Sequence, residues 1–226
     1  MINTYNEKAL HAALKAWYAG DDGQMEVPLD GYIVDVVRGG RLIEIQTSSF
    51  ASIKQKVLAL VACHPVLLVY PIAREKWIVR EPGNDAPITE RARRKSPRRG
   101  TVLDLIPELV SFPSLIASDN FAVEIAFTRE DEIRTYDRRR GWRRKGWVIA
   151  ERRLLNVVET RRLSSPQDLV PLLPETLPPQ FTTADVARST GRSRRFGQQM
   201  AYCLREMGLL EAVGHRNRSV LYRRIA

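Results

Sequence analysis

At 226 residues and 25.8 kDa the chain is long enough for two compact units, or for one domain with an appendage. Apolar residues make up 44% of it, which excludes a disordered basic protein, and the only cysteines, Cys63 and Cys203, exclude a disulfide scaffold or a cysteine-built zinc site. The 36 Lys and Arg against 26 Asp and Glu leave a formal net charge of +10; 29 of the basic residues are Arg, whose planar guanidinium suits bidentate contacts with phosphates and bases.

From the N-terminus, Thr4 followed by Glu7 is a capping-box pattern that opens a helix through Ala19, with Leu10, Leu14 and Trp17 as its apolar stripe. Gly20-Asp21-Asp22-Gly23 ends it. Residues 31–37 (GYIVDVV) and 41–47 (RLIEIQT) are β-rich, and Gly39-Gly40 between them predicts a two-residue hairpin turn, because both turn positions need positive φ. Ser48 and Ser49 cap a second helix over residues 50–62, with Ile53, Val57 and Leu60 on its apolar side. Residues 65–72 (PVLLVYPI) form the continuous apolar run of a strand buried on both faces, and residues 76–80 (KWIVR) a further strand. Helix, strands, helix and buried strand predict an α/β core over residues 1–88.

After Glu81-Pro82-Gly83 the texture changes. Residues 90–99 (ERARRKSPRR) read as a basic, mobile loop and residues 103–112 as a short helix. Residues 121–136 read as a strand with Phe121, Val123, Ile125 and Phe127 on one face, and residues 147–160 as its antiparallel return. The turn between them is 137–146 (DRRRGWRRKG). Residues 89–163 are thus a basic loop and β extension of the core. A third unit, 164–226, begins with a short helix at Ser165-Pro166 and a loop marked by Pro174, Pro178 and Pro179. Thr182 and Asp185 then cap a helix through Ser189, Gly191 makes a turn, and a helix over 193–207 precedes two β runs at 209–213 and 219–225. Residues 1–88 hold 9 basic and 10 acidic side chains, whereas residues 89–226 hold 27 and 16, so the polyanion grip is expected at the rear. No stretch approaches the apolar run of about 18 residues that spans a membrane. The N-terminus lacks a signal-peptide pattern, and a cytoplasmic protein is expected.

The hairpin fixes a constellation. With a two-residue loop, paired numbers sum to 79, which sets Asp35 opposite Glu44 with Gln46 two residues on along the same face. Ile33, Val37 and Leu42 surround them. Two carboxylates held that close call for a positive partner, and a hard divalent cation with oxygen ligands is the natural one. Glu7, on the helical side of Leu10 and Leu14, is placed to add a third carboxylate or simply to complete the capping box. Asp30, after Pro28-Leu29, is a rival for Asp35, but it would pair beyond the end of the second strand of the hairpin. The three histidines show no ligand spacing.

Asp35-x8-Glu44-x-Gln46, on a hairpin between two helices and followed by a buried strand, resembles the PD-(D/E)XK nuclease superfamily, and the αβββαβ order across residues 4–80 resembles its restriction-endonuclease-like fold. The resemblance implies Asp35 and Glu44 as ligands of Mg²⁺ (or Mn²⁺), Glu7 as an auxiliary acid of the first helix, and a lysine assisting the attacking water. Gln46 stands at the lysine position, as in some restriction endonucleases; Lys54 or Lys56 of the following helix would then supply the charge that a neutral amide cannot. Residues 165–226 resemble a winged helix-turn-helix. There Phe196, Met200, Leu204 and Met207 form the core stripe, leaving Arg195, Gln198, Gln199, Tyr202 and Arg205 on the other sides. Arg195, Gln198, Gln199 and Tyr202 would face DNA, and Arg216 and Arg218 of the wing would meet phosphates or the minor groove. Arg138, Arg139, Arg143 and Arg144, with Trp142 and Trp147, would clamp a strand and stack on its bases. The expectation is a Mg²⁺-dependent DNA endonuclease, with a catalytically inactive DNA-binding protein on the same scaffold as the alternative. A homodimer is the arrangement compatible with cutting both strands.

Overall fold

Gly39 and Gly40 adopt φ angles of 56° and 74°, and the hairpin they close has the register of a two-residue loop: Arg38 opposes Arg41, Val37 opposes Leu42 and Val36 opposes Ile43. The computed structural model describes residues 9–82, 86–137, 139, 142 and 145–225. Around the hairpin the chain runs α1 (Ala9–Ala19), β1 (Gln24–Leu29), β2 (Tyr32–Arg38), β3 (Arg41–Ile45), α2 (Lys54–Val61) and β4 (Val66–Arg80).

β1 was not expected from the sequence. It pairs antiparallel with β2 through a second tight turn, Asp30-Gly31, with φ angles of 49° and 79°. It lies at the sheet edge, where the missing amide of Pro28 costs no ladder hydrogen bond. β4 joins the two expected runs into one strand of 15 residues.

β4 runs parallel to β3 on one side and to β6 (Phe121–Tyr136) on the other, and β7 (Trp147–Leu163) returns antiparallel along β6. The segment expected as a mobile loop contains instead a strand, β5 (Ala92–Lys95), paired antiparallel with the far half of β4. Its partners are remote in sequence: Arg93 and Lys95 lie over the Trp77 ring, Arg93 pairs with Asp131, and Lys95 with Glu75. The mixed sheet has the order β1-β2-β3-β4-β6-β7 with β5 on β4. β7 carries three bulges against β6, at Val158, Leu155 and Ala150. The helix expected over 103–112 is a short α3 (Ile106–Leu109) between 3-10 turns.

One face of the sheet is covered by α1, whose Leu10, Leu14 and Tyr18 pack on Val36, Ile43, Ile45, Leu67 and Val69. Tyr18 takes the place expected for Trp17, which is 48% exposed. The other face is covered by Val57, Leu60 and Val61 of α2, by α3 and by a stacked pair, Phe50 and Phe112. The C-terminal unit joins this second core. It comprises β8 (Gln180–Phe181), α4 (Thr183–Thr190), α5 (Arg194–Glu206), β9 (Leu210–Arg216) and β10 (Ser219–Arg224), its strands ordered β8-β10-β9. The expected stripe of Phe196, Met200, Leu204 and Met207 is buried within the same cluster as Leu42, Leu68 and Ile106. Thr182 and Asp185 form the capping box of α4, and Gly191 ends it at φ 65°. Gly197 lets α5 cross α4 closely; a Cβ there would stand 2.2 Å from the Thr183 carbonyl oxygen. Among the described residues no helix is long and apolar enough to cross a membrane.

Candidate functional site

The β2–β3 ladder stops at the Val36–Ile43 pair, and the strands part at Asp35. Instead of a backbone pair, the Asp35 carboxylate accepts the Ile45 amide at 2.8 Å. The same oxygen lies 3.2 Å from His11 Nε2 of α1. Glu44, in register with Leu68 of β4, is only 3% exposed. Its Oε2 lies 2.6 Å from the Lys56 ammonium, which also donates to the Ile33 carbonyl at 2.6 Å. Its Oε1 is buried with no hydrogen-bond partner among the described residues.

Asp35, Glu44 and Lys56 lie close enough for their charges to act on one another, but Asp35 leaves the ladder pair with Glu44 that the hairpin register predicts. Of the two candidate lysines it is Lys56 that reaches Glu44. Gln46 is adjacent but engaged elsewhere, its amide donating to the Ser49 carbonyl at 2.6 Å and to Ser52 Oγ at 2.7 Å, where the chain turns into α2. Lys54 is exposed. Asp30 sits in the β1–β2 turn and pairs with His64 at 2.7 Å. Glu7 lies outside the described residues.

His11 was set aside in the sequence with the other histidines. The signal that would have found it is its place on α1, one helical turn after Glu7. A turn further on, Lys15 is buried and bonds Glu26 at 2.7 Å. Glu26, at φ 55°, falls between Met25 and Val27, which oppose Val36 and Val34, and so faces the Asp35 position from β1. α1 thus brings two basic side chains against two acids of the β1–β2 pair.

The two central carboxyls are driven apart electrostatically. Burial and the charge of Asp35 push Glu44 up to about 7, against the pull of Lys56. Burial also raises Asp35, but His11, the Ile45 amide and Lys56 outweigh it and hold this carboxyl below its usual range. One acid is firmly ionised and the other is poised near neutrality. Among the described residues no group of three or more His, Cys, Asp or Glu gathers to hold a metal. The donors are two carboxylates, one with an orphaned oxygen, and this hard-oxygen set fits Mg²⁺ or Mn²⁺ completed by waters better than a caged Zn²⁺.

The basic surfaces lie elsewhere. On α5, Arg194, Arg195, Gln198 and Tyr202 are exposed and Gln199 is half-buried. Arg192, just before them, is tied to Asp104 and Thr101. At the β9–β10 turn Arg218 is exposed, whereas Arg216 is bound back to Asp185. In the basic segment before β7, Arg139 and Trp142 are exposed, and Arg138, Arg143 and Arg144 lie outside the described residues. Trp147 is 3% exposed and packs on Tyr136 and Arg80, so it does not serve as a stacking platform.

A family model described as a domain of unknown function, DUF8091, matches residues 8–164, from α1 to just past the end of β7. An uncharacterized protein of Treponema pallidum (strain Nichols) is 31% identical over 227 residues, covering 99% of this chain and 87% of that protein. No solved structure matches the chain. The matched segment holds the whole seven-stranded sheet together with His11, Asp35, Glu44 and Lys56, and on that extent of similarity the chain belongs to the DUF8091 family.

Proposed function

We propose that the chain is a Mg²⁺- or Mn²⁺-dependent DNA endonuclease of the cytoplasm. Residues 1–88 would form a restriction-endonuclease-like αβββαβ core and residues 164–226 a winged helix-turn-helix that positions it. The observation that carries this reading is the half-buried Asp35 beside the buried Glu44 on parting strands, with Glu44 Oε1 unpartnered among the described residues and Lys56 beside it.

Asp35 and Glu44 are the residues that would hold the cation. When bound, it supplies Lewis acidity toward a phosphoryl oxygen and lowers the pKa of a bound water. Lys56 brings a positive charge to the same place and is the residue that takes the role of the missing E-x-K lysine. His11 keeps Asp35 ionised and oriented. Gln46 is a positioning residue: its amide ties the end of β3 to the entry of α2, and so sets the helix that carries Lys56. On the DNA side, Arg195, Gln198 and Tyr202 of α5 and Arg218 of the wing are free to meet groove and backbone.

A second reading, an inactive DNA-binding protein, is favoured by one feature. Lys56 already neutralises Glu44, and Gln46 is turned away from the carboxylates. Incubating supercoiled plasmid with the protein in Mg²⁺, Mn²⁺ or EDTA, with Glu44→Ala in parallel, separates the two. The nuclease reading expects metal-dependent nicking that vanishes in the variant while binding persists. Intact plasmid, bound equally by both proteins, would favour the inactive scaffold.

A further inference from the structure

A cavity of about 430 Å³ opens beside the C-terminal end of α1, on the sheet face opposite α2. Its floor is apolar, made by Ile43 and Leu67. One wall is the half-exposed indole of Trp17, braced edge-on by Tyr18 with ring centroids 4.6 Å apart. Three guanidinium groups border it: Arg38, Arg41 and Arg162.

Their partners define what the cavity lacks. Arg162 is fixed by Glu124 at 3.0 Å, and Glu124 also accepts the Tyr18 hydroxyl at 2.8 Å. Arg38 pairs with Asp22 at 2.7 Å and caps the Tyr18 carbonyl at the end of α1 at 3.3 Å. Arg41 is exposed and has no partner among the described residues. Three cations against two carboxylates leave one positive charge beside an aromatic wall and an apolar floor. A volume of this size suits a ligand of a few tens of heavy atoms at most.

We propose that this cavity binds one nucleotide of an unpaired strand, its base stacked on Trp17 over Ile43 and Leu67 and its phosphate at Arg41 and Arg162. A phosphodiester carries the single negative charge that the arginines leave unmatched, and an aromatic platform beside arginine is sequence-tolerant for bases. His11 and Trp17 stand six residues apart on α1, about 9 Å along its axis. The bound nucleotide therefore lies on the helix that also serves Asp35. The inference rests on the nucleic-acid part of the reading above and not on cleavage.

The test is fluorescence anisotropy of a labelled hexathymidylate titrated with the full chain and with Trp17→Ala, Trp17→Phe and Arg41→Glu. Circular dichroism would confirm that each variant is folded. Trp17→Ala and Arg41→Glu are each expected to weaken binding by about five-fold or more, with Trp17→Phe near wild type. Competition by thymidine monophosphate as strong as that of unlabelled hexathymidylate would assign the cavity to a free nucleotide, and much weaker competition to a strand; either keeps the nucleotide chemistry. Unchanged affinity in both folded variants overturns the inference. The plasmid assay on the same preparations separates the two ideas. Nicking with Trp17-independent oligonucleotide binding sinks this site and spares the nuclease, whereas Trp17-dependent binding without nicking does the reverse.

Discussion

Glu44 holds a proton in the folded chain at pH values where the unfolded chain has released it. Its pKa rises from an ordinary 4.5 to about 7, so between those values stability falls as pH rises, and the contribution present in acid is gone above pH 7. The swing is on the order of 3 kcal/mol. Asp35 works in the opposite sense and in another window: its stabilisation holds at neutral pH and is lost in acid, as pH falls through its lowered value. Urea melts of Glu44→Gln across pH 4 to 8 should therefore lose the wild-type decline, leaving the variant the more stable protein at pH 8. A variant that keeps the wild-type slope would show that another group titrates. At this scale the sequence was informative where a turn dictates register. Gly39-Gly40 fixed the hairpin register from Arg38–Arg41 to Val36–Ile43, but not one pair further, where Asp35 gives up its expected place opposite Glu44 to catch the Ile45 amide. It was blind where tertiary packing decides. Trp17 and Tyr18 both continue the Leu10–Leu14 stripe at helical spacing, and only the sheet beneath selects Tyr18 for burial. His11 is similar, since its role depends on α1 lying over the point where β2 and β3 part.

Elements were legible in proportion to how local their causes are. α4 and α5 follow from nearby signals: the Thr182–Asp185 capping box, Gly191 at positive φ and a four-residue apolar stripe. Their crossing hinges on Gly197, whose absent side chain admits the Thr183 carbonyl. Gly197→Ala is expected to cost about 2 kcal/mol or more, because the added carbon meets backbone that cannot step aside. Chemical denaturation measures this, and a neutral result would mean the two helices separate freely. β1 and β5 were missed for different physical reasons. β1 is short and contains Pro28, tolerable because no described strand pairs with its outer side; the Asp30-Gly31 turn was the signal available. β5 is ARRK, a run no propensity marks as strand, and it is held by Trp77, Glu75 and Asp131 from distant positions. β4 was read as two strands because Ala73-Arg74-Glu75 interrupts its apolar pattern, at a register shift against β6.

Across the whole molecule the positive charge is concentrated behind residue 88, and much of it is spent inside the protein. Arg152 and Arg134 serve the buried Glu130 and Glu132, Arg192 serves Asp104, and Arg216 serves Asp185. Counting arginines therefore overstates the grip on a polyanion. Arg194, Arg195 and Arg218 are exposed with no partner among the described residues. Engaging these three alone would give a log K against log salt slope of about −3 for duplex DNA. Anisotropy titrations from about 50 to 200 mM salt measure it. A flat response would remove DNA as the partner. The C-terminal unit shares its core with the sheet, which keeps these arginines in a fixed relation to Asp35 and Glu44. The bulges of β7 have a different consequence. An open sheet invites a neighbouring chain to add itself as the next strand, yet here the two outermost strands, β1 and β7, are both interrupted. Val158, Leu155 and Ala150 break the outer row of amides on one side. Pro28 and the left-handed Glu26 break it on the other. At these two margins the sheet is a poor template for growth, and the remaining edge, β5, is short and carries Arg93, Arg94 and Lys95, whose like charges repel a second copy of itself.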